Sequence, residues 1–410
     1  QETTDKTDGG YYTGGTDELL LHNVVQILSE ETSYTDNYRF IGSFWAEAQI
    51  IKGLTVRASY NNDSAYTYDY IYYNQNHPYA ADKGRILDRN RFVMTNTIDL
   101  YANYNRKIGE DFELGAMVGH SFLKTRSRTS YIDAQNYPSP AFDVASVAAN
   151  IVDASAGLSE YAIESYFARL SLAYKDRYVV NATIRTDGSS RFAPNTRWGY
   201  FPAASVGWRM SDESFLRDVK WVDDLKIRAS VGQTGNAQIG NSEYLALYGS
   251  TNIDLGNGLT SQVYPTQIAN NDLGWEKNTQ YNVGLDVSLW RGTLGFTADY
   301  YYSKTTDMLF DVPVSSVSGL TSSNVNIGSM QNKGIELALT SRRSFGDFSY
   351  AFAANWSLNR NKVLSLGDEN ADIIKESSYA GGYYLTRVGQ PVGCYYLLVQ
   401  DGIFHNQEEL

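Results

Sequence analysis

Apolar and polar residues alternate along most of this chain, and the stretch from Tyr281 to Tyr302 shows the pattern most plainly. Tyr281, Val283, Leu285, Val287 and Leu289 are separated by Asn282, Gly284, Asp286 and Ser288. After a short turn around Arg291 and Gly292, Leu294, Phe296, Ala298, Tyr300 and Tyr302 alternate with Gly295, Thr297, Asp299 and Tyr301. Side chains alternate faces along a strand, so the pattern predicts a long hairpin with one apolar and one polar face. Each arm is about 10 residues, the length at which a tilted strand crosses a bilayer.

The unit recurs. Phe40–Ile50 and Leu54–Tyr60 flank a tight turn at Ile51-Lys52-Gly53. Met94–Tyr104 and Phe112–Val118 flank Lys107–Asp111, and Tyr166–Tyr174 and Tyr178–Ile184 flank Lys175–Arg177. Further strands are expected at Tyr200–Met210 and Leu225–Val231. A last pair, Ile335–Leu339 and Phe348–Leu358, is joined at Arg342–Asp347. Between the hairpins lie long polar segments, Asn62–Asn90, Lys124–Glu160, Asp187–Gly199, Gln233–Gly274 and Asp307–Gln331, which read as loops. Ser211–Asp224 reads as a segment with a helical turn, and Leu19–Leu28 as either a strand or a short helix. Tight turns on one side and long loops on the other is the layout of an outer-membrane barrel. The expected fold is therefore all-β, an antiparallel transmembrane β-barrel, partial in this chain. About a dozen strands would belong to a larger barrel of roughly 22, with no plug domain. Residues 1–37 form a polar loop and a candidate barrel start, 38–360 the barrel strands with extracellular loops, and 361–410 a loop and a further, truncated barrel strand.

Composition sharpens this. Hydrophobic residues make up 42% of the 410, yet no run of 18 is apolar, so no membrane-spanning helix is expected. Barrel strands hide their apolar residues at every second position. The 33 Tyr, 16 Phe and 7 Trp suit strands in general and membrane interfaces in particular. Aromatics beside the turns, Tyr174, Tyr178, Trp290, Phe348 and Tyr350, fit an interfacial girdle or ordinary hairpin capping. A net charge of −12 argues against nucleic acid as a partner. One cysteine, Cys394, excludes a disulfide framework. The chain starts at Gln1 without a visible leader and stops at Glu408-Glu409-Leu410, so it reads as a piece of something longer.

Glu47, Arg57, Asp99, Arg185, Arg209, Arg228, Asp286 and Asp299 alternate opposite the apolar rows. Against lipid each would cost a few kcal/mol, so they are expected to face a lumen; the polar face of a soluble sheet is the other reading. Tyr66, Tyr68, Tyr70, Tyr72 and Tyr73 crowd one loop, and Tyr244, Tyr248 and Tyr264 a second. Their rings either bind substrate or belong to strands extending above the membrane. The four His, His22, His77, His120 and His405, lack metal-ligand spacing, no G-x-S-x-G elbow occurs, and no metal or cofactor is expected. A carboxylate pair for glycoside hydrolysis stays open. The DENAD segment, 368–372, reads as a solvated loop.

Tyr178–Gly240 carries a set of motifs in a definite order. They are Arg185-x-Asp187-Gly188-Ser189-Ser190-Arg191-Phe192, Arg197-Trp198-Gly199-Tyr200-Phe201-Pro202, Gly207-Trp208-Arg209, Leu225-Lys226-Ile227-Arg228, and Gly232-Gln233-Thr234-Gly235-Asn236. Leu273-Gly274-Trp275-Glu276, Asn332-Lys333-Gly334-Ile335-Glu336, Gly389-Gln390-Pro391-Val392-Gly393 and Asp401-Gly402-Ile403-Phe404 follow. Taken together these resemble the barrel region of SusC/RagA-type TonB-dependent transporters of Bacteroidetes outer membranes, from about Phe40 to Leu410. Asp187-Gly188 is expected in a turn with positive φ, and Gly199, Gly207, Gly232 and Gly235 at bulges or close backbone approaches.

The resemblance implies a barrel occluded by a plug and opened by the TonB–ExbB–ExbD energy-coupling complex. It also implies a SusD-like surface lipoprotein as a lid and an oligosaccharide or peptide as cargo. The family's plug, TonB-contacting segment and last strands have no counterpart in this chain. Two other classes fit the residues alone: a secreted β-rich protein that binds or cleaves glycans, and a passive porin or adhesin barrel.

Overall fold

The computed structural model describes residues 24–77, 80, 83–254, 256, 258–313, 317, 319–320, 322–367, 370–376, 382–398 and 402. The undecided segment is helical where it is described, as α1 (Val24–Glu30). Five long strands follow, β1 (Glu31–Ile51), β2 (Leu54–Tyr73), β3 (Arg85–Ile108), β4 (Phe112–Gln135) and β5 (Asn150–Tyr174). Next come β6 (Tyr178–Ser189), β7 (Trp198–Arg209) and β8 (Val222–Asn236). β9 (Leu247–Asp254) and β10 (Leu259–Gln267) precede β11 (Glu276–Leu289) and β12 (Leu294–Thr306). β13 (Leu309–Pro313) and β14 (Ser322–Asn326) precede β15 (Ser329–Phe345) and β16 (Phe348–Ser365). Last are β17 (Ile373–Glu376), β18 (Tyr383–Thr386) and β19 (Cys394–Tyr396).

Twelve strands form one antiparallel sheet in the order β1-β2-β3-β4-β5-β6-β7-β8-β11-β12-β15-β16. Every neighbour in it is the next main strand in sequence, as hairpin connections require. β9 with β10 and β13 with β14 are separate ribbons inside two of the expected loops. Where a further barrel strand was expected after residue 361, β17, β18 and β19 form their own small sheet.

The strands are longer than the alternation of apolar residues suggested. β2 runs to Tyr73 and β4 to Gln135, through segments expected to be loops. Contacts divide the chain into two compact units. One comprises Gln1–Ala46, Ala58–Asp99 and Phe122–Ala162; the other Glu47–Arg57, Leu100–Ser121 and Ile163–Leu410.

In the second unit the register lines up apolar side chains across eight strands. Leu172 pairs with Val180, Val180 with Val206, Val206 with Ala229 and Ala229 with Val283. Val283 then pairs with Tyr300, Tyr300 with Ile335 and Ile335 with Leu358. This row is exposed, Val283 by 55%. Water penalises such a face at about 25 cal/mol per Å², and lipid removes the penalty. Aromatics mark its turn end: Phe112 lies 4.6 Å from Tyr174, Tyr174 6.3 Å from Tyr178, and Tyr178 stacks 6.4 Å from Trp208. Tyr178 Oη and Trp208 Nε1 both donate to Glu213.

Candidate functional site

The candidate site is the polar face of the sheet together with the residues closing over it. In the second unit it has three levels.

Nearest the tight turns it is charged. Gly207 pairs with Arg228, Arg228 with Gly284, Gly284 with Asp299 and Asp299 with Glu336. The Arg228 guanidinium crosses Gly284, donating through Nη2 to Asp299 at 2.6 Å and through Nε to Asp286 at 3.0 Å. A Cβ on Gly284 would stand 2.5 Å from Arg228 Cζ, so glycine is what opens this path. Arg209 lies 3.5 Å from Asp224, and Glu47 pairs with Arg57 at 3.8 Å.

The middle level is neutral. Ser171, Asn181, Ser205, Ser230, Asn282, Tyr301, Gly334 and Asn359 stand in register on eight strands. Ser171 donates to Asn181 at 2.7 Å, and Asn181 to Ser205 at 3.3 Å. Tyr301 passes over Gly334 to donate to Asn359 at 3.2 Å; a Cβ there would lie 2.6 Å from the phenol. Asn332 accepts from Asn361 at 2.9 Å. Asn332, Gly334 and Glu336 are thus spaced for one face, and their motif builds this wall.

The third level is aromatic. Phe201 pairs with Arg185 in register and so shares its face. Phe192, Leu273 and Trp275 close over Phe201, with Phe192 and Leu273 fully buried. Trp275 Nε1 donates to the Arg197 carbonyl at 2.7 Å, and Thr196 Oγ1 to the Leu273 carbonyl at 2.6 Å. A Cβ on Gly199 would lie 2.5 Å from Phe201, and one on Gly235 would overlap it. Arg191 ties this cap to Asn241 and to the Ala237 carbonyl, both at 2.9 Å. Tyr244 packs against the same cluster.

The Asp187-Gly188 expectation is corrected here. Both lie inside β6, and neither has positive φ. Gly188 is needed because the Trp198 ring lies across it, 2.9 Å from where a Cβ would be. Asp187 is buried, accepting from Arg185 Nε at 2.8 Å, while Arg185 Nη2 donates to Ser165 at 3.0 Å. Ser189 is buried beside them. Pro202 pairs with Ile184, which puts it on the apolar face.

The first unit has its own two faces. On one, Arg39 makes a bidentate pair with Asp63 at 2.8 and 2.6 Å, and Asp99 accepts from Ser59 and Asn61. The other carries exposed Phe40, Phe44 and Ile98. Tyr66, Tyr68, Tyr70 and Tyr72 were read either as substrate-binding loop residues or as part of a strand extending above the membrane. They lie on β2, at the positions that continue this apolar face, while Tyr73 points the other way. Tyr66 and Tyr68 donate to Asn90 and Asp88. Tyr70 and Tyr72 are buried with Ile86, Ala134 and Tyr137. Tyr70 Oη donates to the Asp143 carbonyl at 2.7 Å. Burial, then neighbouring Tyr72, pushes the Tyr137 phenol up to about 12. Tyr248 and Tyr264 sit on the β9–β10 ribbon, both exposed. Expectations for residues 1–23, 368–369, 403–404 and His405 lie outside the described residues.

A sheet with an exposed apolar face, a hydrogen-bonded polar face and aromatics at the turn end defines an outer-membrane barrel wall. Residues 2–393 match the family described as TonB dependent receptor-like, beta-barrel, and the chain belongs to that family. It is 30% identical over 391 residues to TonB-dependent receptor P39 of Formosa agariphila, covering 92% of this chain and 36% of that one. It is 31% identical over 287 residues to TonB-dependent receptor SusC of Bacteroides thetaiotaomicron, covering 68% of this chain and 28% of that one. The solved RagAB peptide transporter superposes with a TM-score of 0.81 at 26% identity, covering 88% of this chain and 40% of that one. The chain therefore spans about a third of the length of the curated relatives it matches. The fold is that of a SusC/RagA-type receptor barrel, and its place is the bacterial outer membrane.

Proposed function

We propose that this chain supplies barrel wall to a TonB-dependent importer of SusC/RagA type that carries an oligosaccharide or a peptide into the periplasm. The observation that carries the reading is the pair of registers described above: eight strands present an apolar row to one side and a hydrogen-bonded Ser/Asn/Tyr row to the other. A wall of neutral hydroxyl and amide groups offers hydrogen bonds to hydroxyls or peptide groups without trapping the cargo by charge. The charged level at Arg228, Asp286 and Asp299 is internally paired, one guanidinium between two carboxylates, which leaves a single negative charge. The reading needs no covalent chemistry. Partners would be a SusD-like lipoprotein over the mouth and the TonB–ExbB–ExbD complex, reached through parts of the protein outside this chain.

The test uses the full-length parent in its host. Deleting it is expected to abolish growth on one glycan or peptide as sole nutrient, and an uncoupler of the proton gradient to abolish uptake. An affinity tag on the parent is expected to recover a SusD-like lipoprotein from the outer-membrane fraction. Uptake that survives the uncoupler would replace the importer with a passive porin; recovery as a soluble secreted protein would favour a glycan-binding role.

A further inference from the structure

On β4 the apolar face of the first unit gives way to a basic column. Phe40, Phe44 and Ile98 are exposed on that face, Phe44 by 70%. Tyr60 and Tyr66 follow on β2, their hydroxyls donating to Asn96 at 2.7 Å and Asn90 at 2.5 Å. Apolar bodies with polar tips in this order mark a membrane interface. At the same positions β4 reads Lys124-Thr125-Arg126-Ser127-Arg128, so three cations stand in one column on one face. That face is the one with Tyr66, because Tyr66, Asn90, Phe92, Arg128 and Leu158 line a single groove of about 470 Å³.

Only part of the column is neutralised. Glu160 lies 3.8 Å from Lys124 and 3.1 Å from Arg126. Arg128 is exposed and has no acidic or hydrogen-bonding partner among the described residues. A cation held at the end of a groove, with Phe92 and Leu158 exposed beside it, matches an amphiphile with an anionic head and an apolar body. A soluble anion would gain nothing from those apolar walls. A solute in transit meets the opposite face, where Arg39 is already paired with Asp63.

We propose that this groove is a lipid site: it holds a phosphate of an outer-leaflet glycolipid against Arg128, with the sugar of that headgroup on Tyr66 and Phe92. The site is independent of import and fixes the barrel's height in the leaflet. Arg128 can take the phosphate oxygens bidentately.

The experiment purifies the full-length parent from its host's outer membrane in mild detergent and weighs bound glycolipid against protein by mass spectrometry. Purified phosphorylated lipid A and its enzymatically dephosphorylated form are the added probes, with inorganic phosphate as competitor. Wild type is expected to retain the phosphorylated form and not the dephosphorylated one, and inorganic phosphate is expected not to displace it. Arg128→Ala should lower retention about fivefold, whereas Lys124→Ala, outside the groove and paired with Glu160, should leave it unchanged. Arg128→Lys should recover part of the loss. Folding of each variant is read from the barrel's heat-sensitive shift on gels. Equal retention by wild type and the folded Arg128→Ala variant would overturn the proposal, as would equal retention of the dephosphorylated lipid. Displacement by inorganic phosphate would overturn the lipid in favour of a free-anion site.

Discussion

Two aromatic clusters close off strand ends in this molecule, and they are built differently. The Phe192–Phe201–Leu273–Trp275 cluster lies on the polar face of its unit; the Tyr70–Tyr72–Tyr137 cluster lies on the apolar face of the other. The first uses Phe and Trp rings, with Phe201 and Trp275 seated where Gly199 and Gly235 leave room, and the Trp275 N–H is satisfied by a backbone carbonyl. The second uses phenols, which pack as rings and also reach a carbonyl, as Tyr70 does at Asp143. A cap over a polar wall must bring its own apolar core. A cap over an already apolar face needs only amphipathic rings, here buried and with the Tyr70 hydroxyl turned to a backbone carbonyl.

That contrast can be broken in steps. The largest effect is expected at Trp275. Trp275→Ala removes a buried indole and its bond to the Arg197 carbonyl, and should cost about 3–5 kcal/mol. The melting of the gel-shifted band of the full-length parent measures it. Gly235→Ala comes next, at about 1–3 kcal/mol, because the added methyl overlaps Phe201. A melting point unchanged by this substitution would show that Phe201 has room to move, and the glycine argument would fail. Tyr70→Phe should cost about 1 kcal/mol through loss of one hydrogen bond.

Tyr137→Phe should be nearly neutral, since the Tyr137 hydroxyl is buried without a hydrogen-bond partner among the described residues. Its sign shows with pH. The folded phenol ionises at about 12, above the ordinary value of about 10, so its contribution is complete below about pH 10 and lost as pH rises through 12. The variant should therefore lose less stability than wild type between those values. A Tyr70→Phe cost as large as that of Trp275→Ala would erase the distinction between the two caps.

Much of this was legible in the sequence. The turns at Gly53, Lys175–Arg177 and Arg291-Gly292 were placed by short polar breaks between alternating runs, and glycine or positive-φ residues occupy them. Of the charged residues assigned to the polar face, Glu47 pairs with Arg57 and Arg228 with Asp286 and Asp299, whereas Arg185 and Arg209 pair with Asp187 and Asp224, and Asp99 accepts from Ser59 and Asn61. What stayed hidden was the upper part of the long strands. Beyond Tyr60 the period of two continues, but apolar residues give way to Asn, Ser and Tyr, so hydropathy no longer reports it. Asp187-Gly188 misled for a related reason: the pair favours turns locally, but here glycine answers to a tryptophan from the next strand. The ribbons β9–β10 and β13–β14 are short and fall within polar segments, where propensity is weak.

The side chains that cross a glycine have one more consequence. A two-residue slip between neighbouring strands keeps every side chain on its own face, and in a row of Val, Leu and Ile it exchanges one hydrocarbon for another. The outer row is therefore nearly blind to its own alignment. Arg228 over Gly284 is not blind. Slide β11 by two residues and either Asn282 or Asp286 stands where the guanidinium must pass, and Asp299 loses its partner. Tyr301 over Gly334 gives the same lock between β12, β15 and β16. Two empty side chains thus carry the addressing information that the hydrocarbon rows lack, and they decide which of several equally greasy alignments the barrel adopts.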